Sequence, residues 1–188
     1  DVISIPVADG GAGTVDAFLE IAGGRKFYKE VTGPFNDMKV EGFYAMLPGD
    51  IAVIEMSSAA GIALLEDRWD PSRATTYGVG ELIIDALDNG AKEIILGLGD
   101  SATNDAACGL AAAVGVSFYN AMGTTFTPVG ATLDQIDMID LSTMDKRLKS
   151  IPIVTICDVD IPFYGPDGAV ASDAALKGAD PSMIISLE

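Results

Sequence analysis

The stretch from Thr76 to Asp105, TYGVGELIIDALDNGAKEIILGLGDSATND, decides the reading of the fold. Ile83, Ala86 and Leu87 form an apolar stripe at helical spacing, and Asn89-Gly90 stops it. This predicts a helix over about 76–88. Glu93 to Leu98 is a short apolar run of the kind found in strands buried on both faces of a parallel sheet. The loop that follows, Gly97-Leu98-Gly99-Asp100-Ser101-Ala102-Thr103-Asn104-Asp105, leads into an alanine-rich segment that predicts a second helix, ending near Gly115. Helix, strand, loop and helix in that order argue for an α/β fold.

Outward from this unit the pattern continues. Ile151 to Cys157 reads as another buried strand. Toward the amino terminus, Lys26–Val31, Lys39–Leu47 and Ile51–Met56 read as strands, the last two joined by a Pro48-Gly49-Asp50 turn. Val2–Val7 reads as extended, and Val15, Phe18, Leu19 and Ala22 predict a helix ended by Gly23-Gly24. Thr132–Ile139 is expected to be partly helical, and Ser172 or Asp173 is expected to cap a late helix. Hairpin-like strands followed by alternating helices and strands predict a mixed sheet with flanking helices, in one α/β domain over residues 1–188.

Composition narrows the function classes. Half the residues are apolar (49%), enough for a sizeable core. With 11 basic against 28 acidic residues the net charge is −17, which repels nucleic acid and anionic lipid. No apolar run reaches transmembrane length, and an acidic cytoplasmic protein is the expectation. The absence of histidine excludes Ser-His-Asp and Cys-His catalysis. Cys108 and Cys157 lie far apart and read as reduced, buried thiols. The chain starts on Asp1 without a Met, and that start reads like the middle of a fold, so a piece of something longer, or a deliberately trimmed chain, is expected.

Three loops place glycines, hydroxyls or both just before a helix: Asp9-Gly10-Gly11-Ala12-Gly13-Thr14, Ala74-Thr75-Thr76-Tyr77-Gly78-Val79-Gly80-Glu81, and Gly97 to Asp105. Free amides and partial positive charge at a helix start suit phosphate or carboxylate. Asp9, Gly10, Gly11, Thr75, Thr76, Gly78, Ser101, Thr103, Asn104 and Asp105 are therefore candidate phosphate- or substrate-binding residues. None of the loops has the Walker pattern. Asp158 and Asp160, after the strand ending at Cys157, could hold Mg²⁺ through water or orient a hydroxyl. The sequence fixes no metal ligand set.

Taken together, these segments resemble the bacterial two-domain glycerate kinase family in order and spacing. The matching segments are Pro6-Val7-Ala8-Asp9-Gly10-Gly11, Val31-Thr32-Gly33-Pro34, Val53-Ile54-Glu55-Met56, Thr75-Thr76-Tyr77-Gly78-Val79-Gly80-Glu81-Leu82, Ser101-Ala102-Thr103-Asn104-Asp105, Cys157-Asp158-Val159-Asp160 and Lys177-Gly178-Ala179. The resemblance implies the central domain of a larger kinase that moves the ATP γ-phosphoryl group to D-glycerate with Mg²⁺. It makes Asp158, Asp160 and Lys177 candidate catalytic residues.

The chain also departs from the family pattern. Position 12 is Ala where the family has Glu, 100 is Asp where it has Gly, and 161 is Ile where it has Asn. Residues 173–176 replace Phe-Gly-Pro-Gln. A carboxylate at position 100, ~4 Å from a phosphate oxygen, would repel it by about 4 kcal/mol. Trp69, Ile161 and Leu176 add apolar surface near the same loops and mark a candidate protein-partner surface on the former cleft face. Two expectations follow. One is a truncated or divergent glycerate kinase with little activity alone. The other is an engineered protein-binding module built on the kinase domain.

Overall fold

The computed structural model describes residues 2–3 and 5–188. Helix α1 (Thr14–Ala22) precedes three strands, β1 (Arg25–Thr32), β2 (Lys39–Leu47) and β3 (Ile51–Glu55). A short helix α2 (Ser57–Ala60), the long α3 (Tyr77–Asp88), β4 (Glu93–Gly97) and α4 (Cys108–Ala113) follow. Then come β5 (Ser117–Tyr119), β6 (Thr125–Phe126), β7 (Met138–Asp140), β8 (Ile153–Ile156), α5 (Ala169–Asp173) and α6 (Pro181–Leu187).

The main sheet runs in the order β1-β2-β3-β4-β8. The first three strands are antiparallel neighbours; β3, β4 and β8 are parallel. The fold is thus mixed α/β, as the sequence predicts. Alternation along the strands sends side chains to two faces. Tyr44 and Ile54 face α3, where they pack with Val79, Leu82 and Ile83. Ala45 and Val53 face α1 and pack on Val15. Full burial of each such aliphatic side chain contributes about 1.5–3 kcal/mol.

Glycine sets how closely the helices approach. A Cβ at Gly78 would collide with the Thr32 carbonyl of β1, and one at Gly80 would strike Leu110 and Ala113 of α4. These glycines bring α3 against the sheet and α4 against α3.

Four expectations need correction. Ile153 and Val154 of β8 are 46% and 48% exposed, so this strand is not buried. It is the last strand of the sheet, and among the described residues none pairs with its far side. Cys157 is exposed and Cys108 half-buried, because the chain leaves the sheet at Cys157. Helix α5 starts at Ala169 after the Gly165–Gly168 turn, so Ser172 lies inside it and caps nothing. Asp173 ends α5 and occupies the cap position of the following 3-10 turn, Ala174–Lys177, without a side-chain cap hydrogen bond. Val2–Val7 forms no strand among the described residues, and its Ser4 lies outside them. A small antiparallel sheet, ordered β6-β5-β7, was not legible in the sequence.

Candidate active site

The parallel strands end together: Glu55 of β3 is level with Gly97 of β4, and Gly97 with Ile156 of β8. Ligand sites of open α/β sheets gather beyond such carboxyl ends. Two of the three loops singled out in the sequence follow or meet these ends, and they behave differently.

The loop after β4 opens onto a cavity of about 660 Å³. Thr76, Ser101, Thr103, Asn104, Asp105 and Lys177 all line it. Asp105 is the hub beneath its floor. It is 1% exposed, and one carboxylate oxygen accepts from the Thr76 amide (2.8 Å), the Thr76 hydroxyl (2.8 Å) and the Gly109 amide (3.1 Å). The other accepts from the Ala107 amide (3.2 Å). Burial pushes the Asp105 carboxyl above the usual carboxylate range, against the downward pull of these hydrogen bonds. Asp105 therefore ties the starts of α3 and α4 together. Thr76 extends the link by accepting from the Leu110 amide at 2.8 Å.

Lys177 comes from the turn after α5. Its Nζ donates to the Thr103 carbonyl at 2.8 Å and lies 3.5 Å from Ser101 Oγ. Burial pulls its ammonium below the usual lysine range, partly offset by Asp173 and Asp105. The Asn104 side-chain oxygen is buried and receives no hydrogen bond among the described residues. A buried carbonyl oxygen without a donor costs about 1–3 kcal/mol, so its persistence here calls for a functional or structural reason. Ala106 and Ala107 hold left-handed backbone, with φ of 50° and 58°. Two consecutive strained alanines in one loop mark a conformation that the surrounding contacts impose.

The glycine-rich loop before α1 is already filled by the chain's own carboxylates. Asp9 accepts from the Gly11 amide (2.9 Å), and Asp100 from the Ala12 amide (2.9 Å). Glu55, 3% exposed, accepts from the Gly13 and Val15 amides at 3.2 and 2.9 Å. Gly10 and Gly11 are buried where the loop crosses the backbone of Gly97, Gly99 and Ile156. In this structure Asp100 acts as an internal acceptor, a role its sequence position did not suggest.

The other candidates are dispersed. Thr75 is fully buried and its hydroxyl accepts from the Tyr77 amide at 3.2 Å. Gly78 is a packing position under Thr32. Asp158 and Asp160 are exposed beyond β8 and do not line the cavity. Among the described residues no three carboxylates or cysteines converge on a metal-sized site. Trp69 (48% exposed) lies directly under Gly178, next to Lys177; Leu176 is 71% exposed and Ile161 half-buried.

Sequence reasoning missed Phe163 and Tyr164, which line the cavity while 73% and 76% exposed. Leu133, Val170 and Leu187 complete that apolar side. The available signal was an adjacent aromatic pair inside a Pro/Gly-rich loop, Pro162 to Pro166.

Comparison with known proteins agrees with this architecture. The model of the glycerate kinase family matches residues 1–188. A glycerate kinase from Bacillus cereus is 45% identical over 190 residues, covering 100% of this chain and 50% of that protein. A glycerate 2-kinase from Escherichia coli K12 is 39% identical over 99% of this chain and 49% of its own length. The crystal structure of a candidate glycerate kinase 2 from Salmonella typhimurium LT2 superposes with a TM-score of 0.91 at 42% identity, over 97% of this chain and 49% of that one. The chain spans about half the length of the curated relatives it matches. With a family match along its whole length and the same fold in a solved relative, this chain belongs to the glycerate kinase family.

Proposed function

We propose that this chain forms one side of the active site of a kinase that transfers the ATP γ-phosphoryl group to a hydroxyl of D-glycerate. The observation that carries this reading is the cavity itself. It gathers five of the sequence-derived candidates from the loop after β4 and the start of α3, and adds the Lys177 ammonium. Phosphoryl transfer needs positioning and charge neutralisation more than covalent help. Lys177 offsets phosphate charge at the cavity wall, and Ser101 offers a hydroxyl beside it. Mg²⁺ takes phosphate oxygens, waters and only one or two carboxylates, so a three-carboxylate cage is not needed. The carboxylates that line the cavity are Asp105, Asp134 and Glu188, while the exposed pair Asp158 and Asp160 stands outside it.

The test is release of ADP with ATP, Mg²⁺ and D-glycerate. The chain alone is expected to turn over little, and turnover is expected when it is supplied with the remaining half of a Bacillus relative. Absence of D-glycerate-dependent ADP release in both cases would overturn the reading.

A second reading is a protein-binding module, including one engineered on this domain, using the surface of Trp69, Ile161 and Leu176. Exposure of Trp69 and Leu176 favours it. Trp69 fluorescence that responds to a protein partner but not to ATP or D-glycerate would support this reading over the first.

A further inference from the structure

A kinase of this kind must hold two chemically different substrates, a nucleoside triphosphate and a small hydroxy acid. We infer that the cavity after β4 takes the nucleotide, with its flat base against Phe163 and Tyr164 and its phosphates toward Lys177. The inference rests on the kinase reading given above and assigns one substrate to one place.

Size is the first argument. A cavity of about 660 Å³ is far larger than a three-carbon acid can fill. It lies within the range of roughly 300–1,000 Å³ typical for sites of larger organic ligands. The second argument is how the walls divide. One side carries Ser101, Thr103, Asn104 and Lys177, with the ammonium fixed on the Thr103 carbonyl. The other side is largely apolar and aromatic, with the carboxylates of Asp134 and Glu188 among its residues. There the Gly165 amide donates to the Glu188 carboxylate, and Gly130 packs against Leu187, bringing the Tyr164–Gly165 turn beside the end of α6. Leu133 and Val170 line the same cavity. A hydroxy acid has no apolar part to place against this side; a nucleotide has a base with two flat faces.

The third argument is exposure. Phe163 and Tyr164 are adjacent, line a cavity, and are still about three-quarters open to solvent. Aromatic side chains held open in this way form stacking platforms for bases. Carboxylates stand at the same side, Asp134 and Glu188, and can accept from an exocyclic amine such as that of adenine. The unpaired Asn104 oxygen adds an acceptor for a ligand N–H or O–H.

The test is calorimetric titration of this chain with the Mg²⁺ complex of the β,γ-imido analogue of ATP, with adenosine, and with D-glycerate. The analogue is expected to bind, and D-glycerate is not expected to displace it. Phe163→Ala together with Tyr164→Ala should weaken the analogue and adenosine alike, by about 5- to 100-fold. Both side chains are exposed, and an unchanged thermal midpoint checks that the fold survives. Lys177→Met should weaken the analogue while leaving adenosine within about twofold, since adenosine carries no charge for the ammonium to meet.

The inference is overturned if the analogue fails to bind at millimolar concentration. It is also overturned if the double alanine variant binds it as the parent does, or if D-glycerate displaces it. Its failure is separable from that of the kinase reading. D-glycerate-dependent ADP release with unchanged nucleotide affinity in the double variant would sink the assignment alone. Nucleotide binding lost in the double variant, without any transfer to D-glycerate, would sink the kinase reading alone.

Discussion

The loop before α1 and the loop after β4 carry the same sequence signature, small residues and hydroxyls ahead of a helix, and each borders a cavity, of about 580 and 660 Å³. Yet the two cavities differ in charge: among the described residues, Glu41, Glu55 and Asp100 line the first without a cation, and Lys177 lines the second. In the first loop, the amides of Gly11, Ala12, Gly13 and Val15 are taken up by Asp9, Asp100 and Glu55. In the second, Asp105 satisfies the buried amides from below, while Lys177 and Asn104 face a large cavity from above. A helix start rich in glycine is thus only an offer of hydrogen-bond donors. In both loops the chain's own carboxylates take up that offer; what separates them is the ammonium that the fold delivers beside the second loop alone.

Removing the hub should break the contrast most severely. Asp105→Ala leaves the buried Thr76 and Gly109 amides, and the partly buried Ala107 amide, without their acceptor. We expect a loss of about 3 kcal/mol or more in urea unfolding. Glu55→Ala frees the Gly13 and Val15 amides and should cost about 2 kcal/mol by the same measurement.

The pH dependence separates the hub from ordinary surface carboxylates. Folded Asp105 holds its proton to higher pH than the unfolded chain, whose value is 3.8. The unfolded state then binds fewer protons, so stability falls as pH rises from 3.8 through the raised folded value. Asp105→Asn should abolish that part of the pH–stability curve. The lysines give a similar contrast. Lys177, desolvated beside the cavity, should titrate below 10.5, and Lys92, hydrogen-bonded to exposed Asp50, above it. Carbon NMR of dimethylated lysines reads both.

The smallest effect is expected at Asp100. Its φ of 56° costs about 1 kcal/mol that glycine would not pay. Asp100→Gly loses the Ala12 contact but gains this relief, so net stability should barely move. The Ala12 amide hydrogen should instead exchange faster.

Much of this was legible in the sequence. The stripe Ile83, Ala86, Leu87 and the Asn89-Gly90 stop located α3, because helical periodicity is a local property. The family segments located the cavity wall from Ser101 to Asp105 and singled out Lys177. What escaped were properties of neighbours. An apolar run such as Ile153–Ile156 reads the same whether strands flank it on one side or on both. The role of Asp100 depends on a left-handed turn that swings its carboxylate onto a loop distant in sequence. Phe163 and Tyr164 matter only because the turn they sit on packs beside Leu187 and Glu188.

The position of β8 has a colloidal consequence. Ile153 and Val154 present aliphatic surface on the last strand of the sheet, with no lysine or proline inside the strand to discourage pairing with another molecule. The net charge of −17 works against such an encounter, because like-charged molecules repel before the strands can meet. That protection depends on ionic strength. The screening length shrinks from ~10 Å at about 0.1 M salt to ~3 Å at about 1 M. Salt, usually added to keep an acidic protein in solution, should here bring sticky edges within reach and raise the light scattering of concentrated samples.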